Sequence, residues 1–132
     1  FTFDAKGVHV GDAAQTALAA SLRYEPIKNA YIKIQGQYFD RYYANFDPFS
    51  LQGINGGRDS WKIPSYSLIN LFAGYRYKQF SAGAAITNLL NTSFISDATN
   101  NANGIYDQFD ARSATVMFGQ GLRFNINLAI QF

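Results

Sequence analysis

The segment from Phe118 to Phe132 alternates between two kinds of side chain with a period of two residues. Because successive side chains of a β-strand point to opposite faces, this pattern predicts a strand with one apolar face and one polar face. An α-helix would mix the two sets around its circumference. The even-numbered set is Phe118, Gln120, Leu122, Phe124, Ile126, Leu128, Ile130 and Phe132, and the odd-numbered set is Gly119, Gly121, Arg123, Asn125, Asn127, Ala129 and Gln131.

This predicted strand is long. Fifteen residues at ~3.3 Å each span about 50 Å, and a tilt of ~45° projects that length to roughly 35 Å. The hydrocarbon core of a bilayer is about 30 Å thick, whereas strands of soluble proteins usually have ~5–6 residues. The length therefore predicts that the apolar face contacts lipid.

The same alternation recurs upstream and predicts an all-β chain of about five antiparallel strands. The connections alternate in length, with short turns at 25–29 and 78–79 and external loops at 44–64 and 92–111. Bacterial outer-membrane barrels have short periplasmic turns and long external loops. The predicted fold is an antiparallel transmembrane β-barrel in the outer membrane of a Gram-negative bacterium, with strands at about 13–24, 30–43, 65–77, 80–91 and 112–132.

Composition excludes several other classes. Charged residues make up 15% of the chain, against about 25% in soluble domains. The net charge of +2 comes from scattered residues and does not predict nucleic-acid binding. No stretch is long and apolar enough for a transmembrane helix. A single histidine, His9, and no cysteine leave no catalytic triad or transition-metal site, so we predict neither an enzyme nor a cofactor.

Two loop motifs do not match known binding loops. Asp97, Asp107 and Asp110 lack the spacing of an EF-hand, and the glycines at 53–57 lack the lysine of a phosphate-binding loop. We expect the three aspartates and His9 to be solvated loop residues, and we expect no phosphate-binding loop at 53–57.

Aromatic residues near the strand ends predict two girdles at the membrane interfaces. The girdle residues are Tyr24, Tyr38, Tyr42, Tyr75, Tyr77, Phe80 and Phe118. The candidates for ligand contact in the first external loop are Tyr43, Phe46, Phe49 and Trp61. The predicted lumen-facing residues are Arg23, Lys33, Gln35, Gln37, Arg41, Arg76, Arg123, Asn125 and Asn127.

Five strands do not close a barrel, and open sheet edges are not tolerated in lipid. Single-chain bacterial barrels have even strand numbers from 8 upward. We therefore expect residues 1–132 to be either a C-terminal fragment of a larger barrel or one chain of several that close together, and we favour the fragment.

Four segments carry a resemblance to a known family. "GVHVGDAAQT", "YFDRYYANFDP", "DSWKIPSYSLINL" and "ITNLLNTSFISDA", in this order before a final alternating strand, resemble the C-terminal barrel region of TonB-dependent outer-membrane receptors, closest to the Bacteroidetes type that includes relatives of the starch-utilisation transporters. The resemblance covers essentially the whole chain. It implies a 22-stranded barrel with a plug and energised uptake of a scarce ligand such as a glycan, a peptide or a metal chelate.

The resemblance also implies partners. They are outer-membrane lipid, the rest of the same barrel and its plug, TonB through an N-terminal region outside this chain, the barrel-assembly machinery, and, in some members, a surface lipoprotein. An alternating last strand that ends in Phe is the signal the assembly machinery recognises. The residues that fit this signal are Gly121, Phe124, Ile126, Leu128, Ile130 and Phe132.

Two alternatives remain open from the sequence. One is a small outer-membrane barrel that anchors or adheres and transports nothing. The other is a soluble β-sandwich binding module, in which apolar strand faces pack against each other. A sandwich would stay soluble without detergent.

Overall fold

A computed structural model describes residue 2, residues 4–100, residues 105 and 107, and residues 109–132. These residues form mostly antiparallel β-sheet, as predicted, and their helical content is three short 3-10 helices. No helix in this part of the chain is long and apolar enough to cross a membrane. The strands are β1 (Ala14–Tyr24), β2 (Ala30–Tyr43), β3 (Lys62–Ile63), β4 (Tyr66–Tyr77), β5 (Phe80–Thr87), β6 (Ile95–Asn100), β7 (Ala114–Phe118) and β8 (Arg123–Ile130).

The larger sheet has the strand order β1-β2-β4-β5-β8, with β3 paired to β2. The β4–β5 pair runs from Leu71↔Ile86 to Tyr77↔Phe80, next to the two-residue turn. The β5–β8 pair runs from Phe80↔Ile130 to Thr87↔Arg123. Strands β1 and β8 are the edges, and neither has a second strand partner among the described residues.

The chain divides into two compact units. The sheet unit consists of Ala17–Tyr38, Tyr66–Ser93 and Gln120–Phe132, and the loop unit consists of Phe1–Thr16, Phe39–Ser65 and Phe94–Gly119.

The loop unit has a small hydrophobic core. Ala44, Ile63 and Ala98 are almost fully buried there. Tyr42, Trp61, Ile95 and Val116 pack around them. Strands β6 and β7 pair in a separate two-stranded sheet within this unit.

The last predicted strand is not continuous. The prediction placed one strand at 112–132, but the structure has β7 up to Phe118 and then β8 from Arg123, and β7 pairs with β6. Between them, the Gly119 amide donates to the Phe94 carbonyl, beside the β6–β7 pair, and Asn91 Oδ1 accepts the Leu122 amide at 3.0 Å. The fifteen-residue length inferred from alternation is therefore wrong, because the glycines at 119 and 121 continue the period without forming the ladder.

The predicted external loops contain more structure than expected. The first, 44–64, includes β3 and the 3-10 helices Pro48–Ser50 and Gly53–Asn55. The second, 92–111, includes β6, whereas 101–104, 106 and 108 lie outside the described residues. The strand predicted at 80–91 ends at Thr87, because the next residue has a positive φ of 53°.

Candidate functional site

One face of the sheet unit is apolar; it is exposed along β8 and half-buried in the middle of β4 and β5. Cross-strand pairing aligns β4, β5 and β8 so that Leu71 lies opposite Ile86, and Ala84 lies opposite both Ala73 and Ile126. Residues directly opposite each other on paired strands share a face. The odd-numbered row of β4 therefore joins the even-numbered rows of β5 and β8. The large exposed members of β8 are Phe124, Ile126, Leu128 and Ile130, with Leu128 79% exposed.

Aromatic rings gather on this face at the short-turn end. Tyr77 lies opposite Phe80 across the turn. The rings of Tyr75 and Tyr77 stack with centroids 6.5 Å apart, and both residues are exposed, as is Tyr24 at the end of β1. The rings occupy the strand ends where the girdle was predicted, and the girdle itself stays a prediction.

The opposite face of the sheet unit is polar. The Tyr31 ring lies over Gly74, where an added Cβ would overlap it. The Lys33 ammonium lies 5.9 Å from the centre of the Phe72 ring. These contacts put the odd-numbered row of β2 on the side of the even-numbered row of β4. Gln35 and Gln37 have the same parity as Lys33 on β2, so they lie on the same polar face. Arg123, Asn125 and Asn127 of β8 pair with the odd-numbered row of β5, which also belongs to this face.

A polar pocket of about 480 Å³ opens on this face near the short turns. Its walls include the predicted lumen residues Arg23, Arg76 and Asn127. The Arg23 guanidinium lies 4.3 Å from the centre of the Tyr31 ring. Gly83 keeps the floor open for the Asn127 side chain, because a Cβ there would overlap its amide. The pocket thus depends on two glycines, Gly74 on β4 and Gly83 on β5, which lie directly opposite each other in the paired strands.

The "NLLNT" segment forms an asparagine clasp, which we define as Asn88 and Asn91 with the backbone they hold. Buried Asn88 donates through Nδ2 to the carbonyls of Thr92, at 2.9 Å, and Gln120, at 3.1 Å. Its Oδ1 accepts the Thr92 amide at 2.8 Å. The clasp ends β5 and positions the chain entering β8. Sequence reasoning used these residues only for resemblance and missed this role.

Two predicted orientations at the end of β2 need correction. Arg41 has a positive φ of 50°. Its Nε donates to Thr16 Oγ1 at 2.7 Å, and Thr16 belongs to the even-numbered row of β1, not to the polar odd-numbered row. The alternation behind its lumen-facing prediction is therefore interrupted. Tyr42 packs against the core of the loop unit, so it is not a lipid-facing girdle residue.

Two other predicted girdle residues lie on different strands. Phe118 lies in β7, outside the larger sheet, whereas Tyr38 lies on β2, within it.

The four loop aromatics differ in their surroundings. Trp61 packs on the loop-unit core, Phe46 is half-buried and Phe49 is exposed. Tyr43 stacks on His9 with ring centroids 4.4 Å apart. Trp61 and Tyr43 therefore have internal packing roles, and ligand contact by this set stays a prediction.

His9 is not a solvated loop residue. Its Nδ1 lies 2.9 Å from Asp59 Oδ2, and its backbone amide donates to Asp59 Oδ1 at 2.6 Å. The pair joins segments fifty residues apart, which is why no local motif predicted it. No cluster of three metal-ligating residues occurs in the described ranges.

Two carboxyl groups of the loop unit interact unfavourably. The pKa of Asp12 is raised above its usual range. The largest cause is desolvation, followed by the negative charge of Asp97 and a side-chain hydrogen bond with Asp97.

The pKa of a third carboxyl group, Asp110, is shifted in the opposite direction. Hydrogen bonds from Arg112 lower it to about 2.

We expect Asp12→Asn to stabilise the loop unit at neutral pH. A carboxyl group whose pKa is raised on folding contributes stability below its unfolded pKa of 3.8 and loses it as pH rises through the folded pKa. The substitution should therefore raise the unfolding temperature at about pH 7 and leave it nearly unchanged at about pH 3. Thermal unfolding of both proteins at the two pH values measures this, and a lower unfolding temperature at neutral pH would contradict it.

No protein-family model, curated protein sequence or solved structure matches this chain.

Proposed function

We propose that this chain forms part of the transmembrane barrel of a TonB-dependent outer-membrane transporter, with β1, β2, β4, β5 and β8 as membrane strands. In this proposal the apolar face contacts lipid and the polar face lines the interior. The transporter takes up a scarce ligand such as a glycan, a peptide or a metal chelate. The complete transporter also includes the remaining strands of the barrel and the plug, and it acts together with TonB.

The observation that carries the membrane part of the proposal is the in-register apolar face. Ile130, Leu128, Ile126 and Phe124 lie opposite Phe80, Ala82, Ala84 and Ile86, and all four β8 side chains are more than half exposed. Soluble monomers rarely expose apolar patches larger than a few hundred Å². A β-sandwich would bury such rows against a second sheet, whereas lipid solvates them without a partner.

The transporter part of the proposal depends on the resemblance of the four segments quoted above. The complete coding sequence tests it. A plug-forming segment and many further strands would agree with a large plugged barrel. Only three more strands would make an eight-stranded barrel and reject the transporter in favour of a small anchoring protein.

We expect single cysteines at Ala84 and Ala85 to separate the two faces. The chain has no native cysteine, and these two alanines are adjacent on β5 and equal in size. In phosphatidylcholine vesicles, a fluorophore on Ala84→Cys should be quenched by lipids brominated on their acyl chains, because alternation places it on the apolar face.

The Ala85→Cys protein is the matched control and should be quenched by aqueous iodide instead. Equal quenching of both positions by the same agent would reject the membrane orientation. Insertion of neither protein into vesicles would favour the soluble alternative.

A further inference from the structure

Charge is unevenly distributed between the two units. The sheet unit contains six basic residues and one acidic residue, a net charge of +5, whereas the loop unit has eight acidic and five basic residues, a net charge of −3. The basic residues on the polar face of the sheet unit are Arg23, Lys33, Arg76 and Arg123, and the other two, Lys28 and Lys78, lie in the short turns. The polar face therefore attracts anions.

The two arginines of the polar pocket keep unused donors. Arg23 donates through Nε to Glu25 Oε1 at 3.1 Å, and Arg76 donates through Nη2 to Gln131 Oε1 at 3.0 Å. No other hydrogen bond engages either guanidinium within the described part of the chain. Because each guanidinium has five N–H donors, several remain for a ligand.

Packing holds Arg23 in place. Its guanidinium lies over the Tyr31 ring, and that ring fills the space left by Gly74. A guanidinium positioned in this way loses less side-chain freedom when it binds an anion.

We propose that the polar pocket binds a carboxylate between Arg23 and Arg76. Two guanidinium groups and the Glu25 carboxylate give the pocket a net charge of +1, which one carboxylate neutralises. Phosphate, with up to two negative charges, would overcompensate it. The planar fork of arginine also suits bidentate binding of a carboxylate.

The carboxylate has two possible sources with the same chemistry. It belongs either to a small free acid or to an Asp or Glu side chain of a polypeptide that covers the polar face. The volume of about 480 Å³ accommodates either one. This inference goes beyond the proposed function and depends only on the polar face of the sheet unit.

Binding of fluorescent hexaglutamate to the 132-residue chain in uncharged dodecyl maltoside micelles tests the proposal. We expect Arg76→Gln to weaken binding at least about ten-fold, because it removes charge-assisted hydrogen bonds. Lys78→Gln is the matched control, since it removes the same charge two residues away, outside the pocket, and should weaken binding less than about two-fold. Circular dichroism of each protein checks that the fold is kept.

Arg23→Gln and Lys28→Gln form a second matched pair with the same expectation, and they keep the test valid if the Arg76 variant unfolds. Competition by the monocarboxylate lactate would identify a free acid as sufficient, and binding of hexaglutamate alone would identify a polypeptide source. Equal losses in the pocket and turn variants would mean diffuse attraction and overturn the proposal. Stronger competition by inorganic phosphate than by lactate at equal ionic strength would also overturn it.

Discussion

Replacing Leu71 with arginine is expected to destabilise the membrane-inserted chain by about 2–4 kcal/mol, the cost of a cation on the lipid face near the bilayer centre. Leu71 lies midway along β4 and opposite Ile86 on the apolar face. The guanidinium would have to reach the interface past other apolar side chains or draw water into the hydrocarbon. Unfolding by guanidinium chloride from phosphatidylcholine vesicles measures the change.

Ala85→Arg is the control for this prediction. Ala85 lies on the polar face of β5, opposite Phe72 and Asn125, where the new guanidinium can donate to the Asn125 amide or lie over the Phe72 ring. Its cost should be below about 1 kcal/mol. A larger loss for Ala85→Arg than for Leu71→Arg would mean that the two faces are assigned the wrong way round.

Asn88→Ala is expected to destabilise the sheet unit by about 3–4 kcal/mol. The substitution removes three hydrogen bonds of a buried side chain, to Thr92 twice and to Gln120 once. It also places alanine at a φ of 53°, which costs about 1 kcal/mol for a residue other than glycine or asparagine. Equilibrium unfolding in micelles measures the total.

Two further variants divide this effect into its parts. Asn88→Gly removes the same hydrogen bonds without the backbone cost, so its loss should be about 1 kcal/mol smaller. At about pH 3, where its carboxyl group is neutral, Asn88→Asp keeps the acceptor for the Thr92 amide, so hydrogen exchange at that amide should remain slow in Asn88→Asp and become fast in the other two. Fast exchange in all three would show that the clasp does not depend on this acceptor.

The all-β fold and the two faces could be predicted from the sequence because alternation is local. Every residue of β8 from Phe124 to Ile130 has a face fixed by its parity, and the cross-strand pairs then align the rows of β4 and β5. The weak pattern of β4, with Leu68 and Phe72 in its polar row, shows the limit of this reasoning. Pairing with β5, and not the composition of β4 alone, determines which row is apolar.

The features that sequence reasoning missed depend on distant partners or on single backbone angles. Asp59 reaches His9 across fifty residues. The positive φ of Arg41 changes the direction of its side chain, just after Phe39 and Asp40 have reversed the alternation of the strand. Glycines at 119 and 121 are compatible with alternation because they have no side chain to contradict it. The break before β8 could therefore not be distinguished from a continuous strand.

The two edge strands determine how an isolated sample will behave. Along the outer sides of β1 and β8, backbone groups have no strand partner among the described residues, and such rows template the addition of strands from other molecules. Purified chains should therefore form oligomers whose size grows with protein concentration. Dilute samples, or an added peptide that copies a neighbouring strand, should keep the species small enough for spectroscopy.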